Sequence, residues 1–150
     1  MAVAFLTTPF LDGKIYAATL AGKRASMRLA MNTGSLGDTS SVAAWDAVQL
    51  SGNGYAAYEW TIPAGSFNNT TGRFQAPSQL CEFTASANGA GLTWNSVYIV
   101  LGTIANNVTT WETTAPSFLL SIGSNVTLLA GSTPKSYALT LYADGFTLES

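Results

Sequence analysis

Histidine is absent from the 150 residues, and charge of either sign is scarce: 8 Asp+Glu and 6 Lys+Arg make up 9% of the chain, against roughly 25% in an average soluble domain. Without an imidazole there can be no Ser–His or Cys–His nucleophile pair, and no zinc site built from Cys and His. Cysteine is nearly absent too. Cys81 stands alone, so no intrachain disulfide exists, and its neighbours Leu80, Glu82 and Phe83 mark it as a small apolar core residue. No basic cluster accompanies the net charge of −2 and the pI of 4.8, which excludes an electrostatic footprint for nucleic acid. Nor is there an apolar run of the ~20 residues that a membrane span needs. The opening Met1–Leu6 is apolar but has no basic residues before it, and Pro9 follows closely. The sequence therefore predicts a chain made in the cytoplasm, without a cleaved signal peptide.

Small polar residues take the place of the missing charge: 15 Ser, 19 Thr and 14 Gly. The 17 aromatics are enough to build a core and argue against disorder. The length suits one domain, which would bury about 68–70% of its unfolded surface. From Ser26 onward the hydrophobic period is two. Met27, Leu29 and Met31 alternate with Arg28, Ala30 and Asn32, and Tyr58, Trp60 and Ile62 alternate with Ala57, Glu59 and Thr61. Further short strands are expected over 72–75, 81–85, 96–101, 108–112, 118–121, 126–130, 136–143 and 146–148. Clusters of Gly, Asn, Ser and Pro separate them, and Ser51-Gly52-Asn53-Gly54 is the densest turn signal. Val42–Val48 suggests one or two helical turns. Strands of this number and spacing predict an all-β domain, a single β-sandwich or barrel of short antiparallel strands over 26–150. Residues 1–25 read differently, as an N-terminal arm or a short helix that docks on a neighbour. A first strand and turn of the same domain is the alternative, with Asp12-Gly13 as the turn.

Catalytic chemistry would have to come from eight carboxylates scattered singly along the chain. A glycosidase needs two of them about 5–10 Å apart; a sandwich can bring distant residues together, but these carboxylates read as belonging to solvated strand faces and turns. Asp38, Asp46 and Asp144 fall in loops without the Asp-x-Asp-x-Asp pattern of a calcium loop. Gly52-Asn53-Gly54 lacks the remainder of any nucleotide fingerprint. No cofactor and no metal are expected, and the chain does not read as an enzyme. Trp60 and Trp111 lie in strand-like runs and read as core. Trp45 and Trp94 could stand exposed as stacking platforms for sugar rings, which would make the chain a carbohydrate or host-surface binding module. Surface economy points elsewhere. A domain with so little charge exposes apolar patches, and such patches mark contact with other proteins. The residues expected there are Phe5, Leu6, Phe10 and Tyr16 in the arm, with Tyr55 and Tyr58 beyond the glycine turn.

Four stretches in this order carry a resemblance. Leu29-Ala30-Met31-Asn32-Thr33 stands where an alternating strand opens the motif, and Ser51-Gly52-Asn53-Gly54-Tyr55 follows as a glycine–tyrosine turn. Trp94-Asn95-Ser96-Val97-Tyr98-Ile99-Val100-Leu101 is a Trp-x-x-Val step into an apolar strand. Asn125–Leu141 holds closing apolar strands about Ala130-Gly131. Over residues 26–148 the chain resembles small β-rich virion proteins of tailed bacteriophages. Asn32 replaces the aromatic usual in the first motif. The resemblance implies a place in the virion, after synthesis in the host cytoplasm, and an architectural job without catalytic residues. The expected role is a capsid decoration or cement protein that stabilises the assembled shell. A tail, baseplate or fibre component is the alternative. The expected partners are the major capsid protein or tail proteins of the same virion, with self-association besides, and neither nucleic acid nor membrane.

Overall fold

The computed structural model describes residue 2 and residues 7–150. In chain order the elements are helix α1 (Thr8–Thr19), strand β1 (Arg24–Ala30), helix α2 (Val42–Asp46), β2 (Tyr58–Thr61), β3 (Ser66–Asn68), β4 (Arg73–Gln75), β5 (Gln79–Phe83), β6 (Leu92–Ala105), β7 (Val108–Trp111), β8 (Phe118–Leu128), β9 (Lys135–Tyr142) and β10 (Gly145–Glu149). They form two antiparallel sheets of five strands each. In the first, β6 is the spine. β2 and β1 lie to one side of it, and β8 and then β7 pair along the other. In the second, β9 carries β10 on one side and β5 and β4 on the other, with β3 beyond β4. The sheets face each other as an open sandwich and do not close into a barrel.

The period-two pattern decides which side chains meet between the sheets. Ala25, Met27 and Leu29 from β1 and Val97, Ile99 and Leu101 from β6 face Cys81 and Phe83 from β5 and Tyr137, Leu139 and Leu141 from β9 in one core. The opposite face of the β1–β6 pair is buried as well. Helix α2 lays Val42 and Trp45 over Ala30, Tyr98 and Val100 as a second, smaller cluster. Ser41 caps this short helix by accepting from the Ala44 amide at 3.2 Å.

Several elements depart from the pattern expected of them. β6 starts at Leu92 rather than at 96, because a bulge at Asn95 reverses its phase. Leu92 and Trp94 point inward before the bulge, and Val97, Ile99 and Leu101 after it. Opposite the bulge, β8 loops out over 122–125, so the expected strands 118–121 and 126–130 are parts of one. Asp12-Gly13 is not a turn but lies inside α1, where a Cβ on Gly13 would stand 3.1 Å from the Phe74 ring. Pro9 in the first turn suits the start of this helix, and Gly22 at φ +76° follows its end. Tyr16 and Leu20, one turn apart, enter the same core as the sheets. The boundary read between residues 25 and 26 therefore falls within β1.

The β6–β7 hairpin turns at Asn106 and Asn107, both with positive φ. Where the hairpin leaves the sandwich, Gly102 pairs with Trp111, and a Cβ there would stand 2.5 Å from Thr109 and 2.8 Å from the Trp111 ring. Gly102→Ala is expected to cost about 1–3 kcal/mol through overpacking, seen as a lower midpoint in thermal unfolding. An unchanged midpoint would mean that the hairpin yields without strain.

Candidate functional site

Five of the eight carboxylates are taken up in holding the fold together. Glu59 faces Arg24 at 3.7 Å, and Asp144 pairs with Arg73. Glu82 accepts from the Ser136 hydroxyl at 3.1 Å. Glu112 accepts from the Leu101 and Ser117 amides, both at 2.9 Å, and from the Ser117 hydroxyl at 2.8 Å, which ties the start of β8 to β6. Asp46 Oδ1 accepts from the Arg28 guanidinium at 2.8 Å and from the Tyr98 hydroxyl at 2.7 Å. Burial and the facing Asp46 carboxylate both push the Tyr98 phenol well above its ordinary pKa, so it serves as a neutral donor. Burial pushes the Cys81 thiol up to about 12, which removes it as a nucleophile near neutral pH. Among the described residues no group of three or more Cys, Asp or Glu is placed to hold a metal ion. Among the described residues no helix is long and apolar enough to cross a membrane.

The aromatic candidates separate by burial. Phe5 and Leu6 lie outside the described residues. Phe10 is 49% exposed on the outer side of α1, with Leu11 and Ile15 exposed beside it. Tyr16 is closed inside the chain, where its hydroxyl donates to the Pro63 carbonyl at 2.9 Å. Tyr55 and Tyr58 are half-buried, and their hydroxyls are used internally. The Tyr55 oxygen accepts from the Leu29 amide and the Gln49 side chain, both at 3.0 Å, and the Tyr58 oxygen accepts from Gln79 at 2.9 Å. Trp45 and Trp94 correct the sugar-platform expectation, since both indoles are fully buried and present no face to a ligand. Trp45 covers the outer face of the first sheet, and Trp94 lies between the sheets. Among the described residues the Trp94 Nε1–H has no hydrogen-bond partner of normal geometry, although it acts as a donor towards the Tyr137 phenol. Trp60 is core as expected, whereas Trp111 is half-buried beneath the Arg28 guanidinium, 5.6 Å from its ring.

Sequence reasoning missed a large concave feature. A groove of about 640 Å³ runs between residues 117–120 at the start of β8 and residues 144–149 along β10. Phe118 and Phe146 meet across it edge to face, with ring centroids 5.8 Å apart. Leu120 and Leu148 also line the next hollow, of about 210 Å³, which extends the apolar floor to Ile122 and Tyr137. The walls are edge strands. β8 pairs only with β6 and β10 only with β9, so one backbone row of each has no described partner. Ala143 and Asp144 at the mouth also line a hollow with Ile15 of α1. An uncharged β8 edge above an apolar floor, with Asp144 and Glu149 at the two ends of the facing β10 wall, suits the binding of backbone and apolar side chains.

Compared with protein-family models, with curated proteins and with solved structures, the chain matches none.

Proposed function

We propose that this chain is a non-enzymatic structural protein of a tailed-bacteriophage virion, a decoration or cement subunit on the assembled capsid. One observation carries the reading. Five of the eight carboxylates are engaged in the fold, while the side bearing the β8–β10 groove offers the uncharged β8 edge and apolar side chains. The four stretches between Leu29 and Leu141 that resemble small phage virion proteins support it further. The mechanism is linkage. A subunit that binds the assembled shell and not its free building blocks stabilises the shell by RT ln(1 + [L]/Kd), about 2.7 kcal/mol at a hundredfold excess over Kd.

Co-sedimentation of the purified chain with expanded capsids of the parent phage tests this. The expected result is saturable binding at hundreds of copies per shell, a raised shell melting temperature and no binding to free shell subunits. Recovery with tail proteins alone would move the chain to the tail, baseplate or fibre. Binding to neither would overturn the virion reading.

A further inference from the structure

We propose that Asn88 is a site of spontaneous deamidation, where the chain converts its own carboxamide into aspartate and isoaspartate, while the fold protects the second Asn–Gly pair. The sequence holds two such pairs, Asn53-Gly54 and Asn88-Gly89. Asparagine is among the thermolabile residues, and a following glycine has no side chain to hinder its own amide nitrogen from reaching the carboxamide. Both asparagines are exposed, so access to water does not separate them. Their attachments do. Asn53 is pinned at two atoms. Its backbone carbonyl accepts from the Ser86 amide at 2.8 Å, and its Oδ1 accepts from the Ala90 amide at 3.2 Å. It stands at φ +52°, and a Cβ on Gly54 would lie 2.7 Å from the Ser86 nitrogen. Turning the Asn53 carboxamide onto the Gly54 nitrogen would break the bond to Ala90 and part the two loops.

Asn88 lies in the turn from Ser86 to Gly89, between β5 and β6. Unlike that of Asn53, its side chain takes no part in the hydrogen bonds among the described residues. The attacking nitrogen is restrained by the turn bond from the Gly89 amide to the Ser86 carbonyl, at 3.2 Å. A bond in an exposed turn opens locally, without unfolding the sheets. The fold itself demands the glycine that makes Asn88 reactive. A Cβ at position 89 would stand 2.8 Å from Asn53 Oδ1 and 2.9 Å from Ser86 Oγ. The chemistry balances with water alone. The Gly89 nitrogen gives up its proton and attacks Asn88 Cγ. The new C–N bond closes a cyclic succinimide, and Nδ2 leaves as ammonia with that proton. Water then opens the ring at either carbonyl. Opening at Cγ yields aspartate, and opening at the backbone carbon yields isoaspartate, whose main chain runs through the side chain. Either product adds one negative charge to a chain of net charge −2.

This modification is independent of the virion reading. The test is incubation of the purified full chain in heavy-oxygen water slightly above neutral pH, with peptide mapping by mass spectrometry at intervals. In the folded protein the Asn88 peptide should convert at least tenfold faster than the Asn53 peptide. Its products should be aspartate and isoaspartate carrying solvent oxygen, with a new acidic band on isoelectric focusing. In urea that unfolds the chain the loops part, and the two rates should converge. Asn88→Ser, a change at an exposed position, should remove the acidic band from the folded protein. An Asn88 that stays intact overturns the proposal. So does an Asn53 that reacts as fast in the folded chain, or an acidic band that persists in Asn88→Ser. A rate difference that survives unchanged in urea would overturn the protection of Asn53 by the fold.

Discussion

On raising the pH from 9 towards 12 the protein is expected to unfold in one cooperative step, with its buried phenols ionising together. Burial pushes the Tyr16 phenol up to about 12 and the Cys81 thiol from 9.0 to about 12. Tyr98 is displaced furthest, because its phenolate would also face the Asp46 carboxylate. Burial raises Tyr55 and Tyr137 in the same direction. The sign follows from linkage. These groups hold their protons more tightly in the fold than in the unfolded chain, so their contribution is complete below the unfolded pKa, near 9 for the thiol and ~10 for the phenols. It is lost as the pH rises towards the folded values. Each group costs at most about 1.4 kcal/mol per pH unit in that window. Tyr16, Tyr98 and Cys81 together remove about 5 kcal/mol by pH ~11, comparable with the whole stability of an ordinary domain at ~5–15 kcal/mol. Tyrosinate absorbance and far-ultraviolet circular dichroism followed through the same titration should change together. A gradual phenol titration centred near pH ~10, with the dichroism unchanged, would defeat the expectation.

Trp45→Ala is expected to lower the unfolding free energy by about 3–5 kcal/mol, the usual cost of emptying a buried tryptophan site. Trp45 is fully buried, packs against Tyr98 with ring centroids 5.4 Å apart, and donates from Nε1 to the Gly37 carbonyl at 3.1 Å. The helix that carries it has five residues, too few to persist without tertiary support. The anchor is therefore the indole, not the helix. Removing it exposes Ala30, Tyr98 and Val100 on the outer face of the first sheet and frees the segment between β1 and β2. Trp45→Phe keeps most of the apolar contact and gives up the Gly37 hydrogen bond, which is typically worth about 1 kcal/mol. Urea unfolding followed by circular dichroism separates the two variants. A loss below ~1 kcal/mol for Trp45→Ala would mean that α2 lies outside the cooperative core.

Both expectations depend on residues whose type is plain in the sequence but whose surroundings are not. The indole of Trp45 and the phenol of Tyr98 are separated by more than fifty residues, and the α2 cover brings them together. A period-two pattern states that one strand face is buried, and Met27 and Leu29 conform. It does not state that the other face is buried too. That is why Trp45 could be read as a platform for sugars, although the sheet behind it needed a cover. The bulge at Asn95 hid the first part of β6 for a related reason. Period two is a local signal, and one extra residue inverts it. Helix α1 was obscured by Gly13, whose lack of a Cβ serves the close approach of Phe74 and not a turn.

By itself the sequence determined that this is an all-β chain without histidine chemistry, a disulfide or a basic face, because composition and alternation are properties of residues and their neighbours. The glycine–asparagine turn is of the same local kind, with Gly52, Asn53 and Gly54 all at positive φ. Only the tertiary structure decided that the sheets form an open sandwich, that Tyr16, Trp45 and Trp94 point inward, and that β8 and β10 face each other across an apolar groove. Those outcomes rest on pairings between residues far apart in the chain. β8 carries no mark in its own sequence of being an edge, because an edge is defined by the strand that does not lie beside it.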